Sequence, residues 1–328
     1  MEKKPKLLII SSVMPFPGFS GQQQRVKNKL LSLRKYFHIT FLGSENYNRL
    51  KFAKDEVSKF CDDSIVLPNI YSITYMKLLI KVVGTLWAIS KGLKFSNFLV
   101  GKVEMNPARI ENVISKHHFD LVLFEYWHTV DLIDIFQKKN IPTYLDMHNI
   151  LWKSFHAQVS RKKNIPEKIK KIWVQRYKSH EETAWMKYDG IIAINQAEHD
   201  YVKSKINKST KLLYAPMGID LDLWPYCYEP VNPKRVVYFG GLGSDHNQNE
   251  VLKCYNQIMP SLWEKYSDIE FWIVGSNPTK EIKQLMVHDR RVNVTGYLED
   301  VVKILKTMSF LICPRSGKYG FRSRIIEV

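Results

Sequence analysis

Ser309-Phe-Leu-Ile-Cys-Pro-Arg-Ser-Gly-Lys-Tyr-Gly-Phe-Arg-Ser-Arg-Ile-Ile-Glu-Val328 is the stretch that decides how the rest of the chain reads. Its apolar opening, Phe310 to Cys313, predicts a buried parallel strand, which Pro314 ends. The loop that follows holds Gly317 and Gly320 with Arg315, Lys318 and Arg322, and no acid. Arg324 to Val328 predicts the first turn of a helix. A glycine-bearing loop running into a helix N-terminus is an anion site, because free backbone N–H groups and the positive end of the helix dipole point at the ligand. Arg315, Arg322 and Arg324 add full charges that suit a pyrophosphate. Glu327, one turn into the helix, is placed to accept hydrogen bonds from sugar hydroxyls. A basic surface loop has the same composition, and short motifs occur by chance.

Working back from this stretch, Arg235-Val-Val-Tyr-Phe239 predicts a strand, and Gly240-Gly-Leu-Gly-Ser244 a glycine loop opening a helix at His246 to Asn249. Ile269 to Val274 and Val292 to Gly296 predict two further strands. Gly275 lets backbone approach a ligand. Leu223 to Lys234 carries three prolines and no periodicity, which marks a linker. The domain bounds are therefore 1–222, linker 223–234 and 235–328.

The first domain opens with Lys6-Leu-Leu-Ile-Ile-Ser11, an apolar run typical of a strand covered on both faces. A loop containing Ser20 and Gly21 leads into a helix whose apolar residues Val26, Leu30, Leu31 and Leu33 fall on one stripe; Arg25 lies in its first turns. Further strands are expected at His38 to Leu42, Ser64 to Leu67, Phe119 to Phe124, Ile141 to Leu145 and Asp189 to Ile194. Between them, Tyr71 to Lys94 predicts one amphipathic helix rich in lysine. Such a helix either rests on lipid headgroups or packs on the domain with its lysines snorkelling. A long charged helical region from Trp152 to Met186 breaks near Pro166, and Asn195 caps the next helix. Glu125, Tyr126 and His128 follow one strand, and Asp146 and His148 the next. Open α/β sheets bind ligands at the carboxyl ends of their strands, which places His128, Asp146 and His148 at a ligand-binding edge. A buried structural histidine is the competing reading.

The closing stretch resembles the donor-site loop of the group-1 glycosyltransferases, family four of the GT-B fold. Pro314, Gly320, Arg322, Arg324 and Glu327 fall on the pattern of one branch of that family, while Tyr319 stands where its first glutamate is common. Asp146-x-His148 and Pro216-Met-Gly-Ile-Asp220 are similar to two more of its signatures, with Met217 in place of an asparagine. The resemblance implies two Rossmann-like α/β domains facing across a cleft, the second incomplete at its C-terminus. It implies a retaining, metal-independent transferase that moves a sugar from a nucleotide-diphosphate sugar to a polysaccharide, lipopolysaccharide or glycolipid acceptor. The donor is a substrate, and no cofactor is expected. His148, Asp146 and His128 are implied as catalytic residues, and Ser20, Gly21, Arg25, Gly240, Gly241, Gly275, Arg315, Arg322, Arg324 and Glu327 as donor-binding residues. The family's arginine at the Gly241 position is missing, and one of the tail arginines is expected to replace its charge. An epimerase of nucleotide sugars on the same fold and a non-catalytic polyanion- or membrane-binding relative remain open beside the transferase.

The 328 residues suffice for two domains, and the apolar share of 45% with 25% charged is a globular balance. The net charge of +17 attracts polyanions. No zinc-finger spacing, basic zipper or other nucleic-acid module accompanies it, so the expected partners are a nucleotide-diphosphate sugar, a saccharide or lipid-linked acceptor and an anionic membrane surface, with no nucleic acid. Cys61, Cys227, Cys254 and Cys313 are far apart and lack metal-ligand spacing. That pattern fits a reducing cytoplasm, with the inner face of the cell membrane as a peripheral location.

Overall fold

Alternate side chains of a strand point to opposite faces, and in the first strand both faces are apolar. In the computed structural model, which describes residues 3–18, 20–222, 224–229, 231–314 and 319–327, β1 (Lys6–Ser11) sends Leu8 and Ile10 into one core and Leu7 and Ile9 into another. Its strand is therefore central, with layers above and below. On either side stand β2 (His38–Glu45), β3 (Asp63–Pro68), β4 (Leu121–Glu125), β5 (Thr143–Asp146), β6 (Gly190–Ala193) and β7 (Lys211–Tyr214). All pair in parallel in the order β3-β2-β1-β4-β5-β6-β7. The chain reverses its direction of travel across the sheet between β1 and β4, which is where such sheets open a crevice.

The second sheet repeats the plan with β8 (Arg235–Phe239), β9 (Glu270–Val274), β10 (Val292–Gly296) and β11 (Phe310–Leu311), again parallel and ordered β10-β9-β8-β11. Val236 and Tyr238 join one core, Val237 and Phe239 the other. The reversal falls between β8 and β11, and the stretch quoted first leaves the sheet at that point.

The chain divides into two compact units, residues 1–218 with 318–321 and residues 219–317 with 322–328. The first bound lies a few residues before the expected 222. The expected linker is no free tether: Trp224 packs 6.3 Å from Phe239, and the Glu229 N–H donates to the Lys306 carbonyl at 2.8 Å. Both contacts tie it to the second unit. The tail also departs from expectation. Tyr319 and Gly320 belong to the first unit, where the Gly320 N–H donates to Glu198 at 2.6 Å and its carbonyl accepts from the Asn195 amide at 3.0 Å.

Two helices differ from their sequence patterns. Tyr71 to Lys94 is broken into Ile70–Ile73 and Lys77–Lys91, because Thr74 leaves the helical region with ψ of 143°. The expected turn at Arg324 is a short 3-10 helix, Ser323–Ile325. The long charged region breaks where Pro166 stands, giving Leu151–Ser160 and Glu167–Trp185.

Candidate functional site

β4 and β5 pair so that Glu125 stands opposite Asp146 at their carboxyl ends. Both side chains are fully buried, and two buried carboxylates side by side need compensating charge. It comes from the helix Gly21–Leu33, where Arg25 and Lys29 lie one turn apart on one face. Arg25 donates through Nε and Nη2 to both oxygens of Asp146 at 3.0–3.1 Å and to the Ala215 carbonyl at 3.1 Å. Lys29 reaches Glu125 at 2.6 Å and also contacts Asp146. His148, with φ of 53°, pairs through Nε2 with Glu125, and its own N–H donates to Asp146 at 3.2 Å. The Tyr126 ring stacks on His148 at 4.3 Å. Burial pushes both carboxyls up, yet Lys29 with His148 for Glu125, and Lys29 with Arg25 for Asp146, outweigh it and hold both below the ordinary carboxylate range.

Glu125, Asp146 and His148 offer ligand atoms within 4.8 Å of one another, the donor set of a divalent-cation site. The Lys29 ammonium contacts both carboxylates, and Arg25 occupies both oxygens of Asp146. A cation there has to displace them, so the residues do not fit a resident metal.

His128 does not join this cluster. It lines a separate cavity of about 490 Å³ with Trp87, Lys91, Lys102 and Trp127, and its Nδ1 is buried without a hydrogen-bond partner. Burial, helped by Lys94, lowers its pKa to about 4. Asp146 and Arg25 pair with each other inside the first unit, with 0% and 6% of their side chains exposed. Ser20 is the N-cap of its helix: its Oγ accepts from the Gln23 N–H at 3.3 Å, while its own N–H donates to the Gln23 side chain. It lines a cavity of about 340 Å³ with Ser12, Ser44 and Arg49, and Gly21 is the first helical residue.

Nearby, two more buried acids hold the start of the helix Leu151–Ser160. Glu181 accepts the N–H groups of Leu151 and Trp152 at 2.8 and 2.6 Å, and Glu198 accepts that of Ile150 at 3.3 Å. Burial raises their pKa to about 8 and about 7. Sequence reasoning passed over Lys29, Glu181 and Glu198 as site residues. The Arg25/Lys29 spacing was a usable signal. Glu198 lies three residues past its cap Asn195, the position of a capping-box acid, but its carboxylate is spent on Ile150 and Gly320 instead.

In the second unit, Gly240 follows β8 and Gly275 follows β9. A Cβ on Gly275 would lie 2.0 Å from the Gly240 carbonyl, so the two strand ends touch backbone to backbone. Gly240 has φ of 149°, and a Cβ there would meet the Arg324 guanidinium at 2.8 Å. Both positions require glycine. Arg324 is thereby brought onto the glycine loop. Its guanidinium lies 5.2 Å from the Tyr238 ring and 3.8 Å from Glu250, and Glu250 also accepts from the Tyr238 hydroxyl at 2.9 Å. The carbonyl of Gly241 accepts from the Asn247 amide at 2.6 Å. Arg322 is the N-cap residue of the 3-10 turn, and Glu327 closes that turn by donating its N–H to the Ser323 carbonyl at 3.2 Å. Arg315 lies outside the described residues.

Residues 233–328, which include all of these positions, match the family of glycosyl transferases group 1. The likenesses of the chain among solved structures extend over nearly its whole length. The chain is 15% identical to the sucrose-phosphate synthase of Thermosynechococcus elongatus, with a TM-score of 0.63 over 99% of this chain and 78% of that one. The HepE protein of Anabaena, solved with UDP and glucose, is 11% identical, with a TM-score of 0.55 over 98% and 77%. A trehalose-6-phosphate protein of E. coli, bound with UDP-2-fluoro glucose, is 11% identical, with a TM-score of 0.51 over 92% and 75%. At these identities the likeness shows the fold, which is GT-B. No curated protein sequence matches the chain.

Proposed function

We propose that the chain is a group-1 transferase that moves a sugar from a nucleotide-diphosphate sugar, UDP-linked as in the solved neighbours, to a saccharide or lipid-linked acceptor with retention at the anomeric carbon. The observation that carries the reading is Arg324 held over Gly240 where β8 and β9 end, its guanidinium only 15% exposed and steadied by Glu250 and Tyr238. In the transfer, the bond from the anomeric carbon to the diphosphate oxygen breaks and a bond to the acceptor oxygen forms. The acceptor proton passes to the departing phosphate. Negative charge grows on the diphosphate, and a guanidinium with backbone N–H groups of a glycine loop stabilises it without a shift of a side-chain proton. Arg322 adds a second charge from the same turn, and Glu327 is assigned to sugar hydroxyls. In the first unit, His148 is assigned to orienting the acceptor, on a support of Glu125, Lys29 and Asp146 that fixes its ring. The cytoplasm is the proposed setting, because the four cysteines lie far apart in the sequence.

A thermal-shift screen of the full chain against nucleotide-diphosphate sugars tests this. A ligand at about a hundred times its Kd adds about 2.7 kcal/mol, which raises Tm by several degrees. Silence with every donor contradicts the reading. Turnover of the donor with no acceptor present selects an epimerase instead, and the anomeric coupling of the product, read by proton NMR, decides retention.

A further inference from the structure

The helix Lys77–Lys91 turns its apolar side outward. Its inner side is narrow: Gly84 and Ala88 are buried, and a Cβ on Gly84 would lie 2.4 Å from the Phe98 ring. The opposite side carries Leu78, Leu79, Val82, Val83, Leu86 and Ile89, all exposed, with Leu78 at 75% and Leu86 at 63%. At 3.6 residues per turn these six fall in one continuous arc. Single exposed leucines need no explanation, but an unbroken stripe does, since a surface helix ordinarily directs such a stripe at the core. Tyr75, at the start of the segment, is 96% exposed. Charge accompanies the stripe. Between Asp63 and Glu104 the chain has Lys77, Lys81, Lys91, Lys94 and Lys102 and no acid. Lys81 and Lys91 flank the apolar arc on its two sides, and both are exposed.

We propose that this face docks on an anionic lipid bilayer, with the six apolar side chains among the upper acyl chains and Lys81 and Lys91 at the lipid phosphates. Among the described residues no helix is long and apolar enough to cross a membrane, so this helix lies in the interface plane. A second copy of the chain is the other apolar partner available. Pairing the face with itself brings two lysine-flanked helices together with no acid between Asp63 and Glu104 to offset them, on chains of +17 each. A bilayer rich in anionic lipid supplies the opposite sign. Docking of this kind is independent of the donor chemistry, so the two can fail separately.

Sedimentation of the full chain with vesicles of phosphatidylcholine, pure or mixed with phosphatidylglycerol, is the test. The wild-type chain is expected to pellet with the mixed vesicles and to be released as salt rises. The Leu79→Glu/Leu86→Glu variant should partition about tenfold less or weaker still. Lys81→Gln/Lys91→Gln should lose about fivefold per lysine on mixed vesicles and little on pure phosphatidylcholine. All four positions are exposed, and a circular-dichroism melt checks that the variants fold. Equal partitioning of wild type and the glutamate variant, or binding indifferent to phosphatidylglycerol, overturns the proposal. A wild type that is dimeric, becomes monomeric as the glutamate variant and never pellets also overturns it, and assigns the face to a second copy. Pelleting without any nucleotide-sugar binding leaves the docking standing and removes the transferase reading.

Discussion

Asp146 has no exposed surface, yet two cations and a backbone N–H converge on its two oxygens. Removing its charge leaves Arg25 and Lys29 buried with only Glu125 between them. Asp146→Asn keeps the shape and is expected to cost about 3–5 kcal/mol, the toll of breaking one partner out of a buried ion network, read from the shift in urea-unfolding midpoint. A change under about 1 kcal/mol contradicts the arrangement, since exposed pairs are worth that little. His128 gives a pH signature at the same scale. Above its unperturbed pKa of 6.5 the imidazole is neutral in both folded and unfolded chains. Between 6.5 and about 4 the unfolded chain takes up a proton that the buried ring refuses, so stability falls as pH falls through that window, by up to about 3 kcal/mol. His128→Phe is expected to flatten that part of the profile, measured by urea titration at each pH. An unchanged slope places the titration elsewhere. Neither feature was legible from the sequence, where Asp146, Arg25 and His128 all looked like ligand contacts. A histidine at a strand end and a buried structural histidine are spelled alike, and whether an arginine turns inward depends on what the sheet places beneath it.

At the scale of elements, the two crevices are built by the same device: parallel strands whose carboxyl ends stop in register, with a helix or a turn brought over them. In the second unit the contact is backbone on backbone, so even a methyl group is too large. Gly275→Ala drives a Cβ against the Gly240 carbonyl and is expected to destabilise by about 1–3 kcal/mol. It should weaken donor binding as well, because the glycine loop must shift; calorimetry and a thermal melt on the same sample read both. A melt and a titration that match wild type contradict the close approach. Strands were the most legible elements. Leu7 to Ile10 and Val236 to Phe239 are apolar throughout, and a strand covered on both faces has no other way to be written. The helix expected from Tyr71 to Lys94 failed at Thr74, because amphipathic periodicity continues across a break that a single extended residue makes.

For the whole molecule, the repeated strand order with its reversal beside β1 and again beside β8 accounts for why β/α patterning pointed to two Rossmann-like units. Their bounds were harder to see. Prolines in 223–234 suggested a tether, but Trp224 and Glu229 pack onto the second unit through long-range contacts with no local signature. Tyr319 and Gly320 likewise group with the first unit through Glu198 and Asn195, more than a hundred residues away in sequence. The charge of +17 was legible as an appetite for anions, and the structure divides it between residues spent internally, such as Arg25 and Lys29, and residues left outside, such as Lys77 and Lys81.

Calorimetric titration of UDP into the full chain, wild type beside Arg324→Ala, probes the proposed donor site at the guanidinium held over Gly240. A saturable heat for the wild type and a loss of about 1.5–3 kcal/mol in the variant, roughly tenfold to a hundredfold in Kd, is the predicted result. Identical binding by the two proteins, or no binding by either, contradicts the account.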